Sequence, residues 1–322
     1  MEKNHCDRVT FLLVPEYSMI ALMSAVETLR IANRLNGSRF LEWELVSEQG
    51  GAIAASNGMT LMCDAALDEV PPERVTNLFV CSSFNPERYY SKRLLGWLKQ
   101  LNRQGVPLGA MCTGSYLLAQ AGLLDGYRAT VHWEAVPAFR EAFPRVEVTE
   151  EIFEIDHQRY TCAGGTSSLD LMLHLIQLRY SRELALGVCE QFIHQRIRDH
   201  SDSPRLKVAT RLGLNHSKLV KMVETMQENL DEPRSLKELA DIGHVSVRQM
   251  ERLFKAHLRE TPRTYYLNLR LERARHLLQQ SELSLIEIAT ACGFTSLSHF
   301  SRVYKHLHGQ VPSKDRVVQS GS

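Results

Sequence analysis

The chain has 322 residues, more than a single hydrophobic core usually serves, so two domains are expected. Apolar residues make up 44% of it and charged residues 23%, which is typical of a globular protein rather than of a disordered or fibrous one. No window holds the roughly 20 uninterrupted apolar residues of a membrane-spanning helix, and the first ten residues lack the apolar core of a signal peptide. The sequence therefore predicts a cytoplasmic protein without membrane contact.

The cysteines and the charge distribution narrow the range of possible functions further. Seven cysteines are scattered without a CxxC pair, which argues against a disulfide framework and a zinc site, and the sequence predicts neither a metal nor a cofactor. The formal net charge is only +1, but residues 217–322 carry 16 Lys and Arg against 12 Asp and Glu, whereas residues 1–216 carry 22 against 25. The basic part is the one suited to a polyanion such as DNA.

Residues 1 to about 180 alternate between strand-like and helix-like patterns. Short apolar runs rich in β-forming residues, separated by helical patterns, begin at Val9, Trp43, Leu78 and Val106. A short strand from Arg128, a hairpin over 152–163 and helices over 167–180 and 183–198 follow. This alternation predicts an α/β domain with a doubly wound, mostly parallel sheet.

The segment PLGAMCTGSY at 107–116 places Cys112 at a strand-to-helix turn, which is a common way to expose a nucleophile. Ala110 and Gly114 are small residues two positions on either side, so the backbone can pass through a strained turn. The N–H groups at the start of the next helix would form an anion site, whether or not catalysis occurs. A helix start would also lower the pKa of the Cys112 thiol and favour the thiolate.

His132 and Glu134 are the candidate partners of Cys112. On an extended segment, the sequence HWE would put the imidazole and the carboxylate on one face. If the domain is enzymatic, Cys112, His132 and Glu134 would form a catalytic triad. The same turn serves equally as a cradle for a ligand carboxylate, and in that case Cys112 is a retained pocket residue and the protein is not an enzyme.

Beyond a polar linker at 201–216, which separates a domain at 1–200 from an all-α domain at 217–322, the pattern is helical only. An internal repeat appears here, because the stretch at 235–257 recurs at 284–306. Each copy has an amphipathic helix, a turn with a glycine, a hydroxyl residue able to cap the next helix, and a second helix. The repeat therefore predicts two helix-turn-helix motifs.

The second helix of such a motif lies in the major groove and presents its exposed side chains to base edges and phosphates. Ser246 in the first copy and Thr295 in the second are the predicted caps of these helices. The predicted DNA-binding residues of the two copies are Ser246, Arg248, Gln249, Arg252 and Lys255, and Thr295, Ser296, Ser298, His299, Arg302 and Lys305.

The C-terminal block resembles the DNA-binding domain of AraC-type transcription regulators. The resemblance lies in SVRQMERLF from Ser246, PRTYYLNLRLERARHLL from Pro262, IATACGF from Ile288 and SHFSRVYK from Ser298. It implies that both recognition helices face one side of the DNA in successive major grooves, and that the protein is an activator, as family members often are. His244 departs from the pattern, since the second copy has Gly293 at that position.

The N-terminal part resembles the flavodoxin-like, class I glutamine-amidotransferase-like domain shared with PfpI-type proteases. The likeness is carried by LVPEYSM from Leu13, by CTGSYLLAQAGLLDGYRATVHWE from Cys112 and by TCAGGTSSLDLMLHLI from Thr161. The combination is that of GlxA-type AraC regulators, most similar to regulators of carnitine, glycine betaine and related amino-acid catabolism. Protease-type members carry an acidic residue where this chain has Ala21 and often a histidine where it has Thr113, which favours a sensing role over catalysis.

The predicted effector is a small metabolite, either a quaternary ammonium compound or an amino-acid derivative, because aromatic rings near the turn would attract its cation. The predicted ligand-binding residues are Cys112, Thr113, Gly114, Tyr116, His132, Trp133, Glu134, Ser83, Phe84 and Tyr17. The predicted partners are operator DNA, this effector, RNA polymerase and a second copy of the chain in a homodimer. Three hypotheses stay open: a regulator with an inert sensor, a regulator with residual amidase or hydrolase activity, and an amidase whose helical tail only assembles partners.

Overall fold

The computed structural model of the chain describes residues 7–200, 216–280 and 283–316. The chain divides into two compact units, residues 1–204 and 205–322. Of the predicted linker at 201–216, all but His216 lies outside the described residues, so the predicted domain limits stay predictions.

The N-terminal unit is built on a mostly parallel sheet. The strands are β1 (Asp7–Leu13), β2 (Leu41–Ser47), β3 (Ala52–Ala54), β4 (Thr60–Met62), β5 (Ala65–Ala66), β6 (Leu78–Ser82), β7 (Leu108–Cys112), β8 (Arg128–Ala129), β9 (Glu147–Val148), β10 (Phe153–Asp156) and β11 (Arg159–Cys162). Within the described residues the main sheet has seven strands in the order β10-β11-β7-β6-β1-β2-β5, and β10 alone runs antiparallel to its neighbour. This confirms the predicted α/β fold and the hairpin at its edge.

Helices cover both faces of this sheet. They are α1 (Met19–Asn36), α2 (Lys92–Arg103), α3 (Ser115–Gln120), α4 (Val136–Ala142), α5 (Ser167–Arg179) and α6 (Arg182–Gln191). One buried cluster packs α1, α5 and α6 on one face, and a second cluster packs α2, α3 and α4 on the other. Strands buried on both faces need apolar side chains on both, which is why β1, β6 and β7 appear in the sequence as continuous apolar runs.

The order of the strands reverses at one point of the sheet, next to β1. The chain passes from β1 to β2 on one side and then returns to place β6 on the other side of β1. In open α/β sheets, ligands bind at the carboxyl ends of the strands where the chain changes direction in this way. The residues that follow β1, β6 and β7 are therefore the expected location of a ligand site in this fold.

Two local predictions in this unit are wrong. The strand from Arg128 ends at Ala129 and pairs with β9 in a separate two-stranded sheet. The chain turns there because the buried Thr130 donates its N–H to the Thr161 hydroxyl, at 2.9 Å, and its own hydroxyl to the Glu151 carbonyl, at 2.8 Å. The helix predicted over 183–198 ends at Gln191, as the chain then folds back onto α5.

The C-terminal unit is helical in its described residues. Its helices are α7 (Ser217–Glu228), α8 (Leu236–Ile242), α9 (Val247–Leu258), α10 (Pro262–Gln280), α11 (Leu285–Ala291), α12 (Leu297–His308) and α13 (Pro312–Asp315). The first motif, α8 and α9, packs its apolar face against α7 and against Tyr266 of α10. The predicted connecting helix is α10, and α11 and α12 form the second motif, so both helix-turn-helix motifs are confirmed.

The turns of the two motifs differ by one residue. His244 and Gly293 hold the same left-handed backbone conformation, with φ of 50° and 71°. Ser246 caps α9 as predicted, and its hydroxyl accepts the Gln249 N–H at 3.2 Å. The predicted cap Thr295 is wrong, because the second turn contains an additional residue and Ser296 takes the capping position, accepting the His299 N–H at 3.3 Å.

Gly293 should be sensitive to any side chain. A Cβ there would lie 2.7 Å from Cδ of Pro233 and 2.8 Å from the carbonyl oxygens of Leu230 and Asp231, in a left-handed conformation. Gly309 has a similar φ of 76° with nothing near its Cβ position. We expect Gly309→Ala to lower the free energy of unfolding by about 1 kcal/mol, from backbone strain alone, and Gly293→Ala to lower it by about 3 kcal/mol, from strain plus overpacking.

Unfolding in denaturant checks this, followed by circular dichroism at 222 nm and by tryptophan fluorescence. The three tryptophans, at positions 43, 97 and 133, all lie in the N-terminal unit and serve as the internal control. The part of the circular-dichroism transition that comes from the C-terminal helices should shift to lower denaturant, while the tryptophan-fluorescence transition of the N-terminal unit should not. Equal effects of the two substitutions would contradict the packing of Gly293 against the 230–233 segment.

Candidate functional site

Close backbone packing surrounds Cys112 at the carboxyl end of β7. Cys112 has a left-handed φ of 58°, and only 5% of its surface is exposed. A Cβ on Gly114 would overlap the carbonyl oxygen of Val80 on the neighbouring strand. A Cβ on Gly164 would lie 2.6 Å from Cβ and 3.1 Å from Sγ of Cys112. The predicted strained elbow is present, and glycines allow its neighbours to approach it closely.

Burial controls the chemistry of the thiol. It raises the pKa of Cys112 to about 12, although hydrogen bonds from the Ser83 side chain and the Thr113 N–H act in the opposite direction. The neighbouring Glu134 carboxylate raises this pKa further. The sequence predicted a thiol pKa lowered by a helix start, and this prediction is wrong because desolvation outweighs it. At neutral pH the group is a neutral thiol, a poor nucleophile.

His132 and Glu134 do lie close to each other. The His132 Nδ1 and Glu134 Oε2 atoms are 3.8 Å apart, and about a third of each side chain is exposed. They belong to the turn that leads into α4, in which the Ala135 N–H donates to the His132 carbonyl at 2.8 Å. The prediction of an extended segment is therefore wrong. A turn, and not the alternation of side chains along a strand, brings the imidazole and the carboxylate together.

The helix after the elbow gives little support to the predicted anion site. α3 has six residues, and its start is buried. The Gly114 N–H donates to the Met111 carbonyl at 3.0 Å, and the Thr113 N–H is directed to the Cys112 sulfur. The Thr113 hydroxyl donates to the Ser83 carbonyl at 2.5 Å. These donors are used within the elbow, so they stabilise the turn rather than face an incoming anion.

The predicted aromatic residues fall into two groups. Tyr17 is completely buried, and Tyr116 packs against Phe139 with its hydroxyl donating to the Ala135 carbonyl at 3.4 Å. Both rings belong to the core, so the prediction that they form an aromatic cage is wrong for the described conformation. Trp133 is partly exposed beside the His132 ring, and Phe84 is 55% exposed. These two remain accessible near the carboxyl edge of the sheet.

Glu16 and Asn85 are residues of this edge that the sequence analysis missed. Both have left-handed backbone angles, with φ of 62° and 48°, and they follow β1 and β6 at the point where the chain changes direction. The Asn85 side-chain amide donates to Glu16 Oε2 at 3.3 Å. With Cys112, the last residue of β7, three adjacent strands each have a non-glycine residue in this costly conformation at or just after the carboxyl end, as is common at ligand sites. Because neither Glu16 nor Asn85 is a glycine, the sequence contained no indication that the backbone is left-handed at these positions.

The two recognition helices present the predicted DNA-binding residues to solvent. All eleven are exposed, on or at the start of α9 and α12. Gln249 also has a structural role, because its side-chain oxygen accepts the Ser246 N–H at 2.9 Å. Its amide N–H₂ is a donor group separate from that oxygen. Arginine and lysine are the residue types that contact base edges and phosphates in protein–DNA complexes.

Arg270 is a second residue that the sequence analysis missed. It lies on α10, and its guanidinium donates to the Cys292 and Gly293 carbonyls, both at 2.7 Å, while covering the Phe294 ring at 4.1 Å. Burial lowers the pKa of Arg270. Tyr266, one turn earlier, accepts the Arg234 N–H at 3.2 Å and donates to the Asn229 carbonyl. α10 thus holds the turn of the second motif and the loop before the first.

The raised pKa of Cys112 predicts slow alkylation. In the folded protein, we expect the rate at which iodoacetamide alkylates Cys112 to rise about tenfold per pH unit from pH 7 to pH 10, because the thiolate fraction increases in that proportion below the pKa. In urea-unfolded protein, the alkylation rate of the same cysteine should reach half its maximum at about pH 8.5 and level off at about pH 10. Peptide mass spectrometry identifies the site, and Cys112→Ser is the blank. A plateau near pH 7 in the folded protein would indicate an activated nucleophile.

Within the described residues, no group of three or more His, Cys, Asp or Glu side chains is arranged to hold a metal ion. Among the helices of the same ranges, none is both long and apolar enough to cross a bilayer.

Comparison with known proteins identifies both units. Residues 7–178 match the DJ-1/PfpI family, and residues 239–317 match a helix-turn-helix domain. The chain is 48% identical over 308 residues to the HTH-type transcriptional regulator CdhR of Pseudomonas aeruginosa, covering 96% of this chain and 91% of that protein. It is 35% identical over 322 residues to the HTH-type transcriptional regulator GlxA of Rhizobium meliloti, covering 100% of this chain and 98% of that protein.

A solved structure agrees with these matches. The crystal structure of an AraC family transcriptional regulator from Pseudomonas putida is similar to this chain with a TM-score of 0.54 and 28% identity, covering 58% of this chain and 99% of that one. The chain belongs to the HTH-type transcriptional regulators in which a DJ-1/PfpI domain precedes an AraC-type helix-turn-helix domain.

Proposed function

We propose that this regulator reads a specific operator through α9 and α12 and responds to a small metabolite bound at the carboxyl edge of its sheet. The observation that carries the proposal is the pair of capped helices whose predicted DNA-binding side chains are all exposed. The proposal assigns sensing to residues 1–200, connection to 201–216 and DNA binding to 217–322.

The two helices differ in their capacity to read bases. α9 exposes Arg248 and Arg252, whose guanidinium groups can contact guanine with two hydrogen bonds. The Gln249 amide is suited to adenine. α12 exposes shorter side chains at its start and the cations Arg302 and Lys305 further along. We therefore assign most base recognition to α9 and a larger share of phosphate contacts to α12.

This division predicts different outcomes for substitutions on α9. Arg248→Ala should cost about 1 to 3 kcal/mol at one base position and relax the preference there. Lys255→Ala should weaken binding to all sequences alike and reduce the salt dependence by about one charge. Arg263→Ala, which removes the same charge from an exposed position outside α9 and α12, is the matched control.

Fluorescence anisotropy with DNA selected from a random pool, and with scrambled DNA, provides the measurement. Equal losses on both DNAs for Arg248→Ala would rule out base reading by this residue.

The ligand site proposed here lies around the elbow. Trp133 and Phe84 offer accessible rings, and the carboxylates of Glu16 and Glu134 make this edge suited to a cation. This chemistry supports an ammonium-bearing effector, either a quaternary ammonium compound or an amino-acid derivative. The proposal keeps His132 beside Glu134 in the site. We assign the wall of this site to the other predicted ligand-binding residues, all of them buried or partly buried, namely Cys112, Thr113, Gly114, Ser83, Tyr17 and Tyr116.

We further propose that the sensor is not an enzyme. The burial and raised pKa of Cys112 and the absence of an acid at Ala21, which is itself buried in α1, support this view over residual hydrolase activity. We also propose that the protein forms a homodimer, contacts RNA polymerase and acts as an activator. We propose a cytoplasmic location, because a transcription regulator works where the chromosome is.

Substitutions at the elbow separate sensing from catalysis. Compounds that raise the melting temperature in a screen of betaines, carnitine and amino acids serve as probes. Cys112→Ser should leave their affinity within about twofold, whereas Trp133→Ala should weaken it about tenfold, which corresponds to about 1.4 kcal/mol of lost ring contact. Trp133→Phe retains a ring and is the control. The inert-sensor proposal fails if Cys112→Ser still binds the probe but abolishes the response of a promoter reporter.

A further inference from the structure

A buried ion pair holds the segment that leads out of the N-terminal unit. Asp170, in the first turn of α5, is completely buried. Its Oδ2 accepts hydrogen bonds from Arg198 Nε and Nη2 at 2.9 and 2.6 Å, and its Oδ1 accepts the Arg198 backbone N–H at 3.0 Å. A buried carboxylate is costly unless it is paired, so these contacts require the chain after α6 to lie against α5.

Further contacts fix the same segment. Arg198 Nη2 also donates to the Thr166 hydroxyl at 2.9 Å, and His194 Nε2 lies 3.3 Å from Asp170 Oδ1. The Ile152 N–H donates to the His200 carbonyl at 3.1 Å. We call Thr166, Asp170 and Arg198 the exit clamp. Through Arg198, the exit clamp holds the last described residues of the first unit against α5.

The turn that carries Thr166 also forms one wall of the elbow. Gly164, with a φ of 84°, is packed so closely on Cys112 that a Cβ would lie 2.6 Å from the cysteine Cβ. Both the N–H and the hydroxyl of Ser167 donate to the Gly164 carbonyl, at 3.2 and 2.7 Å. Only Gly165 separates Gly164 from Thr166, so a displacement of this hydrogen-bonded turn at Cys112 also displaces a member of the exit clamp.

We infer that the exit clamp couples the elbow to the chain segment that leads to the DNA-binding unit. The inference rests on the proposed function, since a ligand-responsive regulator needs such a connection. Binding that moves the Gly164 turn would change the balance between a closed clamp and an open one, and hence how firmly residues 192–200 are held. An ion pair that only stabilised the fold would not respond selectively to the elbow.

Hydrogen–deuterium exchange of the full-length chain tests the coupling without effector or DNA. Gly164→Ala places a methyl group against Cys112, and we expect exchange in the 194–200 peptide to become at least about tenfold faster. Gly165→Ala is the matched control, because Gly165 has a φ of 58° but nothing within 4 Å of its Cβ position. It should change that exchange by less than about twofold. Equal effects of the two substitutions, or no effect of Gly164→Ala, would overturn the inference.

The reverse direction gives a second, independent readout. Thr166→Val keeps the shape of the side chain but removes the acceptor for Arg198, and Arg198→Gln removes the ion pair. Because coupling is reciprocal, both should increase the rate of Cys112 alkylation, by about tenfold, while the exposed Arg182→Gln leaves it unchanged. Unchanged alkylation in folded Thr166→Val protein would contradict the coupling even if Gly164→Ala fails to fold.

The two proposals fail separately. If the wild-type chain selects no DNA sequence, the proposed function is wrong, whatever the exchange data show. If it binds DNA but the exit clamp does not respond to the Gly164 turn, only the coupling is wrong.

Discussion

The close approach of three backbone segments at Cys112 is the constraint on which the N-terminal unit depends. Gly114 leaves space for the Val80 carbonyl of β6, and Gly164 lies directly on the cysteine, so β6, β7 and the start of α5 are packed as one piece. This packing buries the thiol and raises its pKa to about 12. Partly exposed side chains, among them Trp133 and Glu134, lie near this packed edge.

The C-terminal unit has a corresponding constraint in α10. Arg270 and Tyr266 on this helix bind the backbone of the second turn and of the loop before the first motif. Gly293 brings the second turn against residues 230–233 of that loop. The two motifs are therefore tied to each other by specific hydrogen bonds as well as by apolar packing, which fixes the spacing between α9 and α12. A fixed spacing is what lets one chain address two grooves at once.

Much of this organisation could be predicted from the sequence because it follows from periodicity. Continuous apolar runs identified the buried parallel strands, and the repeat identified both motifs. Thr295 and Ser296 could not be distinguished, since either hydroxyl can cap a helix until the register of the turn is known. Tyr17 and Tyr116 could not be placed, because an aromatic side chain serves a core and a ligand site equally well.

The residues missed altogether depend on contacts that are distant in sequence. Arg270 resembles any solvated arginine on an amphipathic helix until the carbonyls of residues 292 and 293 are placed beside it. The turn at His132 is set by Thr130 bonding to Thr161, 31 residues away. The exit clamp joins Asp170 to Arg198 across 28 residues, and Arg198 lies where the periodicity indicated that the second of two helices continued.

Hydroxyl-radical footprinting of the full-length protein on a selected DNA site tests most directly whether both motifs act as one reading unit. We predict two protected segments per chain on the same face of the duplex, separated by about one helical turn of 10 base pairs, with both lost together when Arg270 is replaced by Met. A single protected segment, or two segments whose spacing varies between selected sites, would contradict a rigid pair of recognition helices.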